Sequence, residues 1–348
     1  MKKRIISLAA AAVFVIGTLA GCGNSSTQTT DKTASSDASS SGGDLVTVRD
    51  AVMTGQLDQY ATEIGLWQGI FEKYGIDLQT TEFVAGINTI DAVVNGTADI
   101  GMMADYAAVN RLGNTLKEND LQIFSELSGA GALTGGLYVA PKYVDNLEAL
   151  DGSEGFITQT GTVSDYYVSQ AIEYLGFDED KQNIVNSDSS QTTLSLAQSG
   201  GASAIVATGS NAKYLEDYGW QQVVSSSELG IETGAYYLAK EGFIAENKEL
   251  LAEYLKAVYE SAQYIDAHLD ESAEYLEGKL GVKADDFKLQ WQTYQIKTGF
   301  SEEAALHLEQ IENWAYTHGK FDTDYEVRDF IVTDVVDIAF PENVTIQK

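Results

Sequence analysis

Cysteine is almost absent from this sequence, with Cys22 the single example among 348 residues. A chain with one cysteine forms no internal disulfide and offers no cysteine cluster for a metal. Histidine is nearly as scarce, and His268, His307 and His318 lack the spacing of a metal site. A Gly-x-Ser-x-Gly nucleophile motif is missing as well. The sequence therefore predicts no bound metal, no cofactor and no catalytic residues, and the three histidines are expected to lie far from any binding site.

Positive charge is also in short supply. Lys and Arg number 21 against 52 Asp and Glu, which gives a formal net charge of −31. A surface this acidic does not attract nucleic acid or an anionic membrane through its overall field. We interpret the charge as a solvated surface that keeps the protein soluble.

One long apolar run occurs, at residues 5–20, directly after the basic residues Lys2, Lys3 and Arg4. This order is typical of a secretion signal, and the run is shorter than the ~20 residues of a spanning helix. The last two residues of the run and the two that follow it read Leu-Ala-Gly-Cys, at residues 19–22. This segment resembles a bacterial lipobox. The resemblance implies cleavage before Cys22 and lipidation of that cysteine, so residues 1–21 are predicted to be a lipoprotein signal peptide. An ordinary signal peptide with an incidental cysteine is the alternative.

Residues 22–43 are rich in Ser, Thr and Gly, and their largest apolar side chain is alanine apart from Cys22. Such a segment buries too little surface to offset its chain entropy, so we predict a disordered tether. Without the signal peptide, the formal charge of −31 becomes −34 because three basic residues and no acids are removed. The composition becomes globular from Asp44 onward, and the length that remains is sufficient for about two domains.

The globular part alternates predicted strands and helices, as α/β folds do. Residues 61–75 have apolar side chains at helical spacing up to Gly75, and a later helix is expected to close at Gly113. A helix–glycine–strand–turn–helix unit occurs twice, around Gly96 and Gly200. We therefore predict an α/β fold with two lobes, each a sheet flanked by helices and joined by a two-strand hinge. The lobe boundaries are predicted at 44–138 with 237–348 (lobe 1) and 139–236 (lobe 2), with crossing strands at 136–141 and 234–240.

Four ordered segments resemble the solute-binding proteins for nitrate, sulfonate, taurine and thiamine precursors. They read GLWQGIFEKYGIDLQ, AVVNGTADIGMM, GTVSDYYVSQAIEYLGF and GFIAENKELLAEYLKAVYESAQYI. The resemblance implies a periplasmic-binding-protein-like fold of type II and a role in an ABC importer. Ser203 departs from the aspartate often found there in the second lobe, and residues 182–188 lack the usual landmarks.

Ligands of open α/β sheets bind outside the carboxyl ends of strands. Four such strand–helix junctions occur, at residues 54–60, 104–107, 159–167 and 208–213. Their small and polar side chains suit contact with a small solute. The predicted ligand-binding residues are Thr54, Gln56, Asp58, Tyr60, Asp105, Tyr106, Gln159, Gly161, Thr162, Ser164, Tyr166, Thr208, Ser210 and Asn211. Helix capping by Asp58, Asp105 and Thr162, and scaffold roles for the tyrosines, are the alternatives.

The junctions contain Asp58, Asp105 and Asp165 but only one basic residue, Lys213. Three carboxylates would repel an anion, although helix N-termini attract one. The charge pattern therefore favours a neutral, zwitterionic or amine-bearing solute.

These observations predict a substrate-binding lipoprotein of an ABC importer. It would be a monomer, held by the lipid at Cys22 on the outer face of the cell membrane, extracellular or periplasmic, where it meets the permease and ATPase subunits. A lipid-anchored sensing module for a signalling partner is the alternative. A surface hydrolase is a third reading, for which the sequence contains no catalytic constellation.

Overall fold

The computed structural model describes residues 45–116, 120–132, 135–230, 232–293 and 296–347. The predicted signal peptide, the tether and Cys22 lie outside the described residues. Residues 43–348 form one compact unit.

The described residues contain eleven strands, and most coincide with segments whose β-branched and apolar content predicts a strand. They are β1 (Val46–Met53), β2 (Ile76–Phe83), β3 (Ile100–Ala104), β4 (Leu121–Ala132), β5 (Gly135–Val139), β6 (Phe156–Thr158), β7 (Ile184–Asn186), β8 (Ala204–Thr208), β9 (Gln221–Ser225), β10 (Glu232–Lys240) and β11 (Ile296–Gly299).

The α-helices of the described residues connect these strands and then dominate the last hundred residues. They are α1 (Leu57–Trp67), α2 (Ile70–Lys73), α3 (Gly86–Val94), α4 (Asp105–Thr115), α5 (Val163–Tyr174), α6 (Ser190–Ser199), α7 (Gly209–Asp217), α8 (Glu241–Glu246), α9 (Lys248–Ala267), α10 (Leu269–Leu280), α11 (Ala284–Thr293), α12 (Glu302–Thr317) and α13 (Asp334–Ala339). None of the helices in the described ranges is long and apolar enough to cross a bilayer.

Two sheets organise the fold. The first has the order β11-β4-β10-β3-β1-β2, and the second has the order β7-β6-β8-β5-β9. In the first sheet β2, β1 and β3 are parallel and β10 runs antiparallel beside β3. In the second sheet β7, β6 and β8 are parallel and β5 runs antiparallel beside β8. The two sheets thus repeat one arrangement, and the predicted two-lobed α/β fold is confirmed.

The repeated sequence unit has the same structure in both lobes. Gly96 follows α3 with φ of 73°, and Gly200 follows α6 with φ of 74°. Only glycine adopts this left-handed conformation without strain, so each helix ends there and the chain returns into β3 or β8.

The chain changes sheet twice. It leaves the first sheet after β4 and returns to it at β10. The predicted first lobe included residues 136–138, which pair in the second sheet as part of β5. The predicted second lobe included residues 232–236, which belong to β10 of the first sheet. Each change of sheet therefore falls a few residues before the predicted boundary.

Each lobe has its own core. The larger core packs on the first sheet, a second cluster packs on the second sheet, and a third joins α1 to α9, α10 and α11. All three clusters lie within the compact unit, so we expect residues 43–348 to fold on their own.

Two helices differ from the sequence prediction. The helix predicted over 61–75 is divided into α1 and α2 at Gly69, whose φ is 67°. Gly113 does not end α4, which continues to Thr115. A Cβ at Gly113 would lie 2.5 Å from the ring of Phe321, so this glycine makes room for an aromatic side chain.

Candidate ligand-binding site

A cavity of about 210 Å³ lies between the two sheets, where the parallel strands end. The first lobe contributes residues from the ends of β1 and β3, from the start of α1, and from β4 and β10. The second lobe contributes residues at the starts of α5 and α7. The lining residues are Met53, Gln56, Leu57, Met102, Ala104, Leu127, Ser128, Val163, Tyr167, Thr208, Thr233, Gly234 and Ala235.

At the first junction, side chains of α1 and α11 form hydrogen bonds with the backbone at the end of β1. Oδ2 of Asp58 accepts a hydrogen bond from the amide of Met53 at 2.8 Å, and Oε1 of Gln59 accepts one from the amide of Gly55 at 2.7 Å. From α11, Nε2 of Gln290 donates to the carbonyl oxygen of Gly55 at 3.0 Å. These bonds fix the end of β1 and place Gln56 at the cavity.

Asp58 therefore faces the protein and not the cavity. It is fully buried, and the N-cap of α1 is Gln56, so the capping role considered for Asp58 is wrong. Burial raises the pKa of Asp58 to about 7, against hydrogen bonds from backbone amides that lower it. Burial likewise raises the pKa of Asp50 to about 8, although the hydroxyl of Tyr254 donates to its Oδ2 at 2.6 Å. In the described part of the chain, Oδ1 of Asp50 and of Asp58 has no hydrogen-bond partner.

Thr54 and Tyr60 are placed away from the cleft. They line a separate cavity of about 240 Å³ beside α10. The ring of Tyr60 is 1% exposed and packs edge-on against Phe287 at 5.0 Å, and its hydroxyl donates to Oε1 of Gln290 at 3.1 Å. Tyr60 thus has the scaffold position that the sequence left open as its alternative.

At the second junction, Asp105 connects three elements. Its Oδ1 accepts from the amide of Tyr106 at 2.7 Å, and its Oδ2 accepts from the amide of Gly234 in β10 at 2.8 Å. Nε2 of His307 in α12 also lies 2.8 Å from Oδ2. Asp105 is fully buried, and Ala104 is the N-cap of α4, so Asp105 is the first helical residue and not the cap.

His307 corrects the expectation that every histidine lies far from the junctions. Burial lowers the pKa of His307, but the hydrogen bond and charge of Asp105, with Glu232 and Glu126, outweigh it and raise the pKa above its ordinary value. The Asp105–His307 pair also holds Gly234, which lines the cavity. It therefore positions the cavity wall without lining it.

Tyr106 and Tyr166 lie where the two lobes touch. Tyr106 of α4 stacks on Tyr166 of α5 with ring centroids 5.7 Å apart, and Trp314 of α12 meets Tyr166 edge-on at 4.8 Å. Nζ of Lys320 is 3.9 Å from Oδ2 of Asp165 and lies over the ring of Trp314. These contacts join the lobes beside the cavity, but none of the five side chains lines it.

The third junction contains Gly161, whose φ of 78° favours glycine. Thr162 is the N-cap of α5 and accepts a hydrogen bond from the amide of Ser164 at 3.3 Å, which confirms the capping alternative. Gln159 and Ser164 line a second cavity, of about 170 Å³, within the second lobe.

At the fourth junction, Thr208 lines both cavities and Asn211 lines the second. The backbone of Ser210 lies in the first turn of α7. The structure thus brings Gln56 and Thr208 to the first cavity, and Gln159, Ser164, Thr208 and Asn211 to the second. The two cavities are neighbours, because Val163, Tyr167 and Thr208 line both.

Sequence reasoning missed the apolar lining of the cleft, above all Met53, Met102 and Leu127, together with Val163 and Tyr167. The first two lie at or near the carboxyl end of a strand, which was the available signal. The search for polar junction residues passed over them because apolar side chains near a strand end look like core.

The described lining residues of both cavities include no charged side chain. Asp58 and Asp105 bind backbone amides, and Asp165 faces Tyr106 and Lys320. These carboxylates are therefore engaged within the protein, and the lining of the cavity gives no support for an amine over other solutes.

Comparison with known families decides the classification of this chain. The family model described as NMT1/THI5-like matches residues 63–272, which is more than half of the sequence. The chain belongs to the NMT1/THI5-like family. Comparison with curated protein sequences gives no significant match.

Solved structures place this NMT1/THI5-like protein in the periplasmic-binding-protein fold. The periplasmic aliphatic sulphonate-binding protein SsuA of Escherichia coli is similar, with a TM-score of 0.69, 17% identity and coverage of 82% of this chain and 92% of SsuA. The alkanesulfonate-binding protein SsuA of Xanthomonas axonopodis pv. citri, bound to MOPS, has a TM-score of 0.70, 12% identity and coverage of 84% and 100%. The suspected family and the fold class are both confirmed.

An enzyme has the same fold. The desulfurization enzyme DszB is similar, with a TM-score of 0.63, 12% identity and coverage of 85% of this chain and 99% of DszB. The fold alone therefore does not separate binding from catalysis, and function has to be argued from the site.

Proposed function

We propose that this protein is the substrate-binding lipoprotein of an ABC importer, which captures a small polar solute between its lobes and delivers it to the permease. The observation that carries the proposal is the cavity lined by both lobes at the ends of β1, β3 and β8. A solute held there contacts both lobes, so it stabilises a closed arrangement over an open one. Family membership and the likeness to sulfonate-binding proteins support the same role.

The chain passes from one sheet to the other at two places, after β4 and before β10, and we propose a hinge there. Rotation about two short segments needs few changes of backbone dihedral angles and leaves both cores packed. The closed form is then the one that the permease recognises.

The proposal includes a lipid anchor. Residues 1–21 serve as the signal peptide, Cys22 carries the lipid, and residues 22–43 are the tether that lets the body work on the outer face of the membrane. The partners are the permease and ATPase subunits, and the protein acts as a monomer. We expect a radioactive fatty acid to label the full chain and to be absent from the Cys22→Ser variant.

The solute is proposed to be neutral, zwitterionic or amine-bearing. An ion buried without a partner loses several kcal/mol of solvation. Since the described lining contains no charged side chain, the neutral member of this set fits best. Micromolar affinity needs about −8 kcal/mol, which apolar contact and a few hydrogen bonds supply.

Thermal-shift measurement on the compact unit, residues 43–348, tests the role in binding. The panel of test solutes contains sulfonates, nitrate and bicarbonate as anions, together with amines, amino-pyrimidines and neutral heterocycles. A solute that binds only the folded protein raises Tm. We expect a shift with a neutral heterocycle, and tight binding of simple sulfonates alone would contradict the proposed solute class.

A variant in which the cavity is filled tests the binding site directly. Val163→Trp places a large ring in the cavity, so we expect every Tm shift to disappear while the fold persists. Val84→Trp is the matched control, because Val84 is 78% exposed and outside the cavity. Binding that survives Val163→Trp unchanged would contradict a site between the lobes.

A further inference from the structure

The second lobe contains a cavity of its own, of about 170 Å³, beside the cleft. Val163, Tyr167 and Thr208 line both spaces, so the two cavities are neighbours. A solute that extends from the cleft past these three side chains would lie between α5, α6 and α7. This extension adds almost as much space as the cleft itself holds.

The two spaces differ in chemistry. The cleft is lined mainly by thioether and aliphatic groups such as those of Met53, Met102 and Leu127. The second cavity adds the side-chain amides of Gln159 and Asn211 and the hydroxyl of Ser190. An apolar part of a ligand gains most from the cleft, and a hydrogen-bonding part gains most from the second cavity.

The polar groups of the second cavity are available to a ligand. The side chains of Gln159, Ser190 and Asn211 make no hydrogen bond to any described residue. Neighbouring groups are already engaged: Oγ of Ser187 lies 2.6 Å from Oγ1 of Thr193. Gln159 and Asn211 are half-buried and Ser190 is exposed, so water satisfies these groups until a ligand displaces it.

Charge argues against an ionic ligand part. The described residues of neither lining include an acid or a base. The N-termini of α1, α4 and α5 each have an acidic residue in the first turn, at Asp58, Asp105 and Asp165. These acidic side chains offset the positive ends of those three helices, which would otherwise attract an anion. Helices α6 and α7, which begin at the second cavity, have no acidic residue in the first turn, so there the argument rests on the uncharged lining alone.

Resting on the proposed function, we propose that the solute is an uncharged molecule of two parts. An apolar ring occupies the cleft between Met53, Met102 and Val163. An amide- or hydroxyl-bearing substituent reaches past Thr208 into the second lobe and pairs with Gln159 and Asn211. The second cavity is thus a specificity pocket that separates substituted rings from bare ones.

The test uses three sets of neutral probes on residues 43–348: single-ring fragments, small amides and diols, and compounds that join the two by a short linker. Calorimetry measures each affinity. We expect the joined compounds to bind at least about tenfold tighter than either part, because linked groups share one cost of association. We expect Gln159→Leu and Asn211→Leu to remove that gain, and Lys213→Ala, an exposed change in the same helix as Asn211, to retain it.

The outcomes separate this inference from the proposed function. Joined compounds that bind no tighter than bare rings, that do not bind, or that keep their gain in both leucine variants overturn the two-part solute. A sulfonated ring that binds tighter than its neutral counterpart overturns the uncharged class. In each of these cases, loss of ring binding in Val163→Trp still supports the proposed solute-binding site between the lobes. Ring binding that is unchanged in Val163→Trp contradicts that site, and with it the proposed function.

Discussion

Asp50 and Asp58 show how one residue type has different properties in different surroundings. Both are fully buried in the first lobe, and burial raises the pKa of Asp50 to about 8 and that of Asp58 to about 7. An acid whose folded-state pKa is raised stabilises the fold below its unfolded pKa of 3.8, and this contribution is lost as the pH rises through the folded-state value. The two residues make the first lobe less stable toward alkaline pH.

We predict that the free energy of unfolding of the wild type falls between about pH 4 and about pH 8. Asp50→Asn cannot ionise and keeps an oxygen for the Tyr254 hydroxyl, so its stability should fall less over the same range. Urea unfolding at several pH values measures this. Asp145→Asn, an exposed change, should retain the wild-type slope, and equal slopes for Asp50→Asn and wild type would rule out the buried acid as the cause.

At the scale of an element, the glycine inside α4 makes room for a side chain from another part of the fold. Gly113 allows the Phe321 ring to lie against the helix, where a Cβ would come within 2.5 Å. The sequence suggested a helix end at this glycine because Gly is a poor helix former. The tertiary contact with Phe321 decides otherwise.

Gly113→Ala should destabilise the protein by about 1–3 kcal/mol, since overpacking outweighs the gain in helix propensity. Gly278→Ala is the matched control, because Gly278 lies in α10 and a Cβ there would meet nothing within 4 Å. That change should stabilise the protein by up to about 1 kcal/mol. Chemical denaturation compares the two, and a stabilising Gly113→Ala would contradict the packing argument.

At the scale of the whole molecule, the lobes meet through aromatic and ionic contacts beside the cavity. Trp314 of the first lobe packs against Tyr166 of the second at 4.8 Å. Nζ of Lys320 lies 3.9 Å from Oδ2 of Asp165 and 3.7 Å from Oε1 of Glu179. In the proposed mechanism, these contacts between the lobes would favour a closed arrangement over an open one.

Trp314→Ala should therefore shift the population toward the open form. Small-angle X-ray scattering should show a larger radius of gyration, and solute affinity should fall about three- to tenfold. Trp67→Ala is the control, because Trp67 stacks on Tyr275 within the first lobe, with ring centroids 4.2 Å apart. A variant at Trp314 with unchanged scattering and affinity would show that these contacts do not govern closure.

Much of the fold was predictable because local pattern and tertiary role agree. The crossing strands predicted at 136–141 and 234–240 overlap β5 and β10, and Gly200 ends α6 as its position suggested. No strand was predicted at β9 or β11, because Gln221–Ser225 and Ile296–Gly299 are short and largely polar and show no apolar run. Only their pairing with β5 and β4 makes them strands.

The sequence alone was enough for the two-lobed α/β plan, the family and the junctions at strand ends, because periodicity and glycine positions are local. Tertiary packing determined which junction residues face the cleft. Asp105 and His307 are 202 positions apart yet share a contact of 2.8 Å. Met53 and Val163 lie in different lobes yet line one cavity, because the chain crosses between the sheets twice. Such contacts depend on how the sheets pack, which no local pattern records.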